Sequence, residues 1–500
     1  MTNELVPTFD DLMSAVREGY HEQDVRVIAR AYRFAETAHR GRQRYSGDDY
    51  ITHPTATAIF LAEMQLAFPV VVAGLLHDVL EDTPTSIGEI RKEFGEDVAG
   101  MVAGVTKLGY VKYRGVERYV ENLRKMFLAM AADVRVLFIK FADRIHNLRT
   151  FDAVPEPKRQ RIALETMQLY APIANRLGMG EIRGRLEDLS FRHILPKEYN
   201  WVAELVSDRL AEKQKYFDRV KKTIEKDLDK AGVQVIKIGG RTKHLYSLYQ
   251  KLLNHDRDIT RIYDLVALRI QVPTIGDCYA ALGIVHNRWK PLKGRIKDYI
   301  AQPKPNGYQS LHTTVFCEDG EIVEFQIRTP EMHRLAEFGI AAHWQYSEAG
   351  KRPKTPKELG WIKEIASIQK QIDDHQQFLK NLESLKIDVF QNRIFVFTPK
   401  GDVIDLPEQA TPVDFAYAIH TDVGNKCAAA RVNDEMVALD RPLYSGDIVE
   451  IVTDKKRKAP SADWLKFVKT KHARDKIKEG ARAGGSAWVR KITREPKKRG

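Results

Sequence analysis

The stretch PVVVAGLLHDVLEDT, Pro69–Thr83, decides how the first part of this chain is read. Val71, Val72, Leu75, Leu76 and Leu80 recur at helical spacing, so one side of the segment is buried. Out of that apolar run come His77, Asp78, Glu81 and Asp82. His77 pairs with Glu81 and Asp78 with Asp82 at i to i+4, which on a continuous helix makes two adjacent columns. Three carboxylates and an imidazole leaving a buried face suit a metal site with acid–base groups beside it. A capped histidine among ordinary surface acids is the plainer alternative.

Two neighbouring segments strengthen the metal reading. The apolar run VRVLFIKFADRIHNLRT (Val134–Thr150) ends in Asp143, Arg144 and, one turn on, Asn147. Upstream, YITHP places His53 where it would cap a helix with Pro54 in its first turn. His53, His77, Asp78 and Asp143 are the candidate ligands. Mixed nitrogen and oxygen donors suit Mn, Fe or Zn better than Ca or Mg. Such an ion acidifies a bound water and polarises a phosphoryl oxygen. Glu81 and Asp82 are placed to move protons or position that water, and Arg44 (in RQRYSGDDY) and Asn147 to hold phosphate or base. Residues 1–195 read as nearly all helix, with breaks at Gly41, Gly47, Pro69, Pro84, Pro155 and Pro157.

Beyond an amphipathic stretch at 197–231, expected as a connecting helix pair, the period changes. GVQVIKIGG (Gly232–Gly240), RIYDLVALRIQV (Arg261–Val272), HTTVFC (His312–Cys317) and EIVEFQIRT (Glu321–Thr329) alternate with period two, with helical segments between them. This is a mixed α/β domain. GGRTKHLYSLYQK combines two glycines with Arg241, Lys243, His244 and Lys251, an arrangement suited to a triphosphate. Asp264 ends a mostly apolar strand face and is a candidate Mg²⁺ ligand. In EIVEFQIRT, Val323, Phe325 and Ile327 point one way and Glu324, Gln326 and Arg328 the other. A solvent-facing strand would show the same alternation. The loop KDYIAQPKPNGYQSLHTT adds Lys297, Lys304, Asn306, Tyr308 and His312, an aromatic among amides and cations able to stack a base and grip phosphates. Residues 347–388 are polar and helical. RIFVFTPKGDVIDLP (Arg393–Pro407) is a hairpin signal, followed by a short helix (Pro412–His420) and two strands (Ala429–Val432, Asp447–Val452).

Composition sets outer limits. Five hundred residues imply roughly three or four domains. A hydrophobic fraction of 43% with 30% charged residues fits a globular chain. No run approaches the ~18 apolar residues of a membrane helix, and Met1–Asp10 shows no leader pattern. Cys278, Cys317 and Cys427 form no CxxC pair, so no cysteine zinc module is expected and a cytoplasmic location is. The net charge of +12 lies entirely in 454–500, where 17 Lys and Arg face 5 Asp and Glu. That segment is either a solvated tail or an RNA-contacting element.

YITHP, LLHDVLEDT and KFADRIHNLRT together resemble the HD-type phosphohydrolase domain of the RelA/SpoT homologue family. GRTKHLYS, YDLVALRI, RIKDYIAQPKPNGYQSLHT, EFQIRT and AEFGIAAHWQY resemble the same family's synthetase domain, and 391–454 resembles its TGS domain. The resemblance implies a multidomain chain: an all-α HD hydrolase domain (1–195), connecting helices (196–231), an α+β nucleotidyltransferase-like synthetase domain (232–346), a helical linker (347–390), a β-grasp, ubiquitin-like TGS domain (391–454) and a basic helical tail (455–500).

It implies a bifunctional alarmone enzyme of the stringent response. Such an enzyme transfers pyrophosphate from ATP to the 3′-hydroxyl of GDP or GTP, giving (p)ppGpp and AMP. It also hydrolyses (p)ppGpp to GDP or GTP and pyrophosphate. By the resemblance, His53, His77, Asp78 and Asp143 hold Mn²⁺ and Glu81 and Asp82 are catalytic. Asp264 and Glu324 hold Mg²⁺, with Glu324 also activating the 3′-hydroxyl. Arg241, Lys243 and Lys251 hold ATP. Tyr308 stacks on guanine, with Asn306 and His312 nearby. His420 matches the position linked to the 3′ end of deacylated tRNA on the ribosome. The intact HDxxED and the basic Arg295–Asp298 segment both match bifunctional members. After Glu479 the sequence departs from the family pattern, and whether ribosome-dependent activation and amino-acid sensing are retained is not legible in the sequence. A hydrolase with a ligand-binding second domain, or a ribosome- or tRNA-associated regulator, are the competing readings. The resting balance of activities, GDP against GTP preference and oligomeric state are not legible in the sequence.

Overall fold

The computed structural model describes residues 6–109, 115–255, 257–259, 262, 266–304, 307–344, 393–444, 446–454, 457, 459–470 and 472–480. The linker expected at 347–390 and the basic stretch after Gly480 lie outside the described residues, as do Asp264 and Asn306. The chain forms two compact units, one of residues 1–111 and 122–384 and one of residues 112–121 and 385–500. No helix among the described residues is long and apolar enough to cross a membrane.

The first unit opens with helices α1 (Phe9–Arg17), α2 (Glu22–Ala38), α3 (Thr52–Glu63), α4 (Phe68–Leu76), α5 (Val79–Asp82), α6 (Ile87–Gly109), the part of α7 (Gly115–Ala132) from residue 122 on, and α8 (Arg135–Arg149). It continues through α9 (Glu156–Glu165), a π-helical turn (Thr166–Tyr170), α10 (Ala171–Arg176), α11 (Gly180–Ile194) and α12 (Pro196–Lys230). Helix starts follow side-chain chemistry. Thr8 and Asp11 close a capping box at α1, and Pro69 and Pro196 occupy first-turn positions where no N–H is needed. Val70, Val71, Val72, Leu75 and Leu76 of α4 are wholly buried. α4 crosses α3 closely because Gly74 has no side chain: a Cβ there would fall 2.4 Å from Leu61 Cδ1. That close crossing brings the His53 helix and the His77 corner together.

Three expectations are corrected here. The helix carrying LLHDVLEDT is not continuous: α4 stops at Leu76, His77 ends it, and Asp78 precedes the one-turn α5. The physical reason is local, because the Gly74 carbonyl is engaged by the His77 ring, Nδ1 lying 2.7 Å away. His53 does not cap α3. Ile51 holds that position and His53 sits inside the first turn. The connecting segment is one 35-residue helix, α12, rather than a pair, since no Gly or Pro interrupts it after Pro196.

The rest of this unit is a six-stranded mixed sheet with flanking helices. Its elements are β1 (Lys237–Thr242), α13 (Leu245–Asn254), β2 (Val266–Gln271), α14 (Ile275–Arg288), β3 (Lys290–Pro291), β4 (Lys297–Asp298), β5 (Leu311–Phe316), β6 (Ile322–Arg328) and α15 (Pro330–Phe338). The order is β1-β2-β6-β5-β3 with β4 on β5, and only β2 and β6 run parallel. Val323, Phe325 and Ile327 are fully buried in the core between sheet and helices. Gln326 and Arg328 are also buried, so β6 is not a solvent-facing strand. The expected strand at Gly232–Gly240 is displaced: Gly232 lies in a turn with φ +70°, and β1 begins at Lys237. GGRT is therefore paired strand rather than a phosphate-wrapping loop.

The second unit has a hairpin, β7 (Arg393–Phe397) and β8 (Val403–Pro407), then α16 (Pro412–Ile419), α17 (Thr421–Asn425) and a sheet of β9 (Cys427–Val432), β10 (Glu435–Val437) and β11 (Val449–Thr453) in the order β10-β9-β11. The residues after β11 are not a solvated tail throughout. Trp464, Val468, Ala473 and Ile477 are buried against Val413, Ala416, Tyr417 and Cys427. Asp414, wholly buried, accepts the backbone N–H groups of Lys469 and Thr470 and ties that segment down.

Candidate active sites

The first site forms where α3, the α4–α5 corner and α8 meet. Ligand atoms of His53, His77 and Asp143 all lie within 4.8 Å of one another, and all three residues are buried. His77 Nε2 lies 3.2 Å from Asp78 Oδ1, and His53 Nε2 lies 3.3 Å from Asp143 Oδ1 and 3.5 Å from Asp78 Oδ2. The structure thus brings all four candidate ligands to one point. Because Gly74 O faces His77 Nδ1, that nitrogen carries the hydrogen and Nε2 presents a lone pair. His77 Nε2 is buried with no hydrogen-bond partner. A buried imidazole lone pair facing two carboxylates fits a divalent cation and is costly without one.

The surroundings tune the charges. Burial pushes the Asp143 carboxyl up, but Lys140, 2.9 Å from Oδ2, and the histidines outweigh it and hold it well below the usual range. Asp78 is likewise held low, burial being offset by His77 and His53. Burial pushes Glu81 the other way, above an ordinary glutamate. Asp82 accepts from the Tyr50 hydroxyl at 2.6 Å and pairs with Arg42 at 3.2 Å. Tyr50 also lies 2.9 Å from Asp78 Oδ2, so one phenol spans a candidate ligand and a candidate catalytic acid. Arg44 Nη2 lies 3.0 Å from Asn147 Oδ1 and 3.1 Å from Thr150 Oγ1, which puts both predicted substrate groups together beside the cluster. Asn147 Nδ2 also donates to Asp143. Arg144 turns away, pairing with Glu165 at 2.8 Å and stacking on Tyr170. Tyr50, Lys140 and His146 were not singled out from sequence. The signal available was adjacency: each lies three residues from a candidate ligand.

The second site is a cavity of about 310 Å³ under the sheet. Arg241, Lys243, Lys304, Tyr308, His312, Glu324 and Gln326 line it as expected, whereas Lys251 and Lys297 are not among its lining residues. Gln326 Nε2 donates to Glu324 Oε1 at 2.9 Å, His312 Nδ1 lies 3.3 Å from that same oxygen, and the Tyr308 hydroxyl is 2.8 Å from His312 Nε2. Lys304 Nζ sits over the Tyr299 and Tyr308 rings at 4.7 and 4.9 Å. Burial, then Lys297, pushes its pKa down. Strand alternation on β2 puts Ala267 and Arg269 on the cavity side. Glu181 and Arg183 of α11 complete one wall, together with His244. His244 Nδ1 lies 2.9 Å from Asp188 and Nε2 3.5 Å from Glu181. Burial lowers its pKa, but the two carboxylates outweigh this and raise it to about 9.

Fold and sites define a chain that joins a helical metal-cluster domain to a mixed-sheet domain with a cation-rich cavity and to a small β module. Residues 31–180 match the HD domain, 240–351 the region found in RelA/SpoT proteins and 394–453 the TGS domain. A GTP pyrophosphokinase of Streptomyces coelicolor is 47% identical over 510 residues, covering 98% of this chain and 59% of its own. The bifunctional (p)ppGpp synthase/hydrolase RelA of Mycobacterium tuberculosis is 45% identical over 498 residues, covering 98% and 66%. A guanosine-3′,5′-bis(diphosphate) 3′-pyrophosphohydrolase of Aquifex aeolicus is 45% identical over 462 residues, covering 92% and 65%. This chain therefore belongs to the RelA/SpoT homologue family. It spans about three fifths to two thirds of the length of these relatives.

Proposed function

We propose that this chain is a bifunctional alarmone enzyme, making (p)ppGpp from ATP and GDP or GTP and hydrolysing it back to GDP or GTP and pyrophosphate. The observation that carries this reading is that two chemically distinct side-chain clusters stand in the first unit: the His53–His77–Asp143 group and the cation-lined cavity around Glu324. Relatives bearing the names of both activities support it.

In the hydrolase site, His53, His77, Asp78 and Asp143 would hold Mn²⁺. The ion, when bound, supplies a water of lowered pKa and charge neutralisation at the phosphoryl oxygens. Glu81, raised by burial, takes the proton of the attacking water, and Asp82, oriented by Tyr50, assists it. Arg44 and Asn147 bind the substrate beside the cluster, and the bond to the 3′-oxygen breaks, leaving GDP or GTP and pyrophosphate. In the synthetase site, Glu324 and Asp264 would hold Mg²⁺. Glu324 accepts the 3′-hydroxyl proton while that oxygen attacks the β-phosphorus of ATP and AMP leaves. Arg241 and Lys243 neutralise the triphosphate, Tyr308 stacks on guanine, and Lys304, Asn306, His312 and Gln326 position the acceptor, with Lys251 and Lys297, which do not line the cavity, as further proposed contacts to ATP and acceptor. In the second unit, exposed His420 at the head of α17 is the proposed contact to deacylated tRNA on the ribosome.

Running both reactions at once would only consume ATP, so the sites must suppress each other. α11 is the proposed link. His193 at its end lies 3.3 Å from the Leu148 carbonyl of α8, and Arg185 lies over the Phe60 ring of α3. Its Asp188 meanwhile takes His244 and the Tyr246 N–H of α13. Crossed variants test the assignment: Asp143→Asn loses hydrolysis and keeps synthesis, and Glu324→Gln does the reverse. Loss of both activities in either correctly folded variant would refute the division.

A further inference from the structure

We propose that His146 is a positioning residue of the first site: by accepting the His53 Nδ1 hydrogen, its imidazole sets the His53 tautomer that offers a lone pair at Nε2 to the metal. The inference rests on the hydrolase reading above. His53 Nδ1 lies 2.8 Å from His146 Nδ1, with ring centroids 4.9 Å apart. Two nitrogens at that distance share one hydrogen, so one ring donates and the other accepts. His53 Nε2 is the atom aimed at Asp78, Asp143 and the shared centre. To offer a lone pair there, His53 must carry its hydrogen on Nδ1 and donate it to His146 Nδ1. His146 then carries its own hydrogen on Nε2. Metal-bound histidines ordinarily donate their second N–H to a carboxylate, a carbonyl or a water. His77 follows that rule through the Gly74 carbonyl, a fixed acceptor. His53 is backed instead by a group that can switch between donor and acceptor.

The switch has a definite direction. With no cation, His53 Nε2, 3.3 Å from Asp143 Oδ1, holds the hydrogen and donates to the carboxylates. His53 Nδ1 then accepts from His146 Nδ1. On loading, the bridging proton passes from His146 to His53, His53 Nε2 releases its proton, and His146 Nε2 takes one up. Each ring carries one hydrogen before and after. His146 therefore changes tautomer with occupancy although it touches no metal.

Two measurements test this. The first is ¹⁵N NMR of the histidine-labelled 500-residue chain, without metal and with diamagnetic Zn²⁺. His146 Nδ1 is expected to change from a protonated to a bare nitrogen on loading. An unchanged His146 spectrum on a site shown to be filled would overturn the proposal. The second is Mn²⁺ affinity, read by loss of the free-ion EPR signal. His146→Phe is expected to bind about 10–100-fold more weakly, and His146→Asn, whose amide can donate or accept, to recover most of that loss. Wild-type affinity in a folded His146→Phe would also overturn the proposal. A wild type that binds no Mn²⁺ would instead overturn the hydrolase reading beneath it.

Discussion

Gly184→Ala probes the contact between α11 and α13 with a single methyl group. A Cβ at Gly184 would fall 2.1 Å from His244 Cδ2 and 2.2 Å from Nε2. A helix backbone held on both sides does not yield that much, so the imidazole must leave its place between Asp188 and Glu181. In the wild type those carboxylates overcome burial and lift His244 from 6.5 to about 9. At about 1.36 kcal/mol per unit, the lost interaction is worth about 3 kcal/mol as an upper bound. The folded pKa is above the unfolded one. The contribution is therefore fully present below about pH 6.5 and lost as pH rises through about 9. Overpacking adds a pH-independent cost of about 1–3 kcal/mol. Urea unfolding of both proteins at about pH 6 and about pH 9.5 separates the two terms. The destabilisation by Gly184→Ala is expected to shrink by up to about 3 kcal/mol between those conditions. An equal destabilisation at both would refute the claim that His244 is held as an imidazolium by α11.

Tyr50→Phe removes the hydroxyl that spans Asp78 and Asp82; hydrolytic kcat is expected to fall about 10–100-fold, measured as pyrophosphate release with saturating Mn²⁺. Burial raises Glu81, so the proton-accepting carboxylate is lost at higher pH than for an exposed glutamate. The acid limb of the kcat profile should accordingly lie above the ordinary glutamate range, and Glu81→Gln should abolish that limb with the activity. Lys140→Met leaves Asp143 without its buried cation, and unfolding free energy should drop by about 3–5 kcal/mol, read by urea titration. If the basic stretch contacts tRNA, removing residues 481–500, which carry 7 Lys and Arg and 1 Asp or Glu, weakens binding and flattens its salt dependence; an unchanged salt slope would exclude that stretch.

Much of the first site was legible because its chemistry is concentrated in short segments. An imidazole and acids leaving an apolar run cannot be satisfied by burial alone, so HDVLED and ADRIHN announce a polar centre. The break at His77 was not legible, since the bond from its ring to the Gly74 carbonyl overrides a strong helical period. His146 and Lys140 were hidden for a related reason: their partners come from a neighbouring ligand rather than from a spacing rule. The alternation in EIVEFQIRT gave the correct faces of β6, but only the sheet shows that its polar face lines a cavity. The wall formed by Glu181 and Arg183 comes from a helix remote in sequence, and periodicity carries no information on such packing. The tail shows the limit of charge reasoning. Its net charge suggested solvation, while Trp464, Val468, Ala473 and Ile477 at helical or turn spacing bury it through Ile477.

The most direct test of two activities in one chain is a paired turnover assay on the same wild-type preparation. ATP and GDP with Mg²⁺ are predicted to give AMP and ppGpp, and ppGpp with Mn²⁺ to give GDP and pyrophosphate. Product from only one arm, with the folded protein competent to bind the other arm's nucleotide, would contradict the bifunctional account.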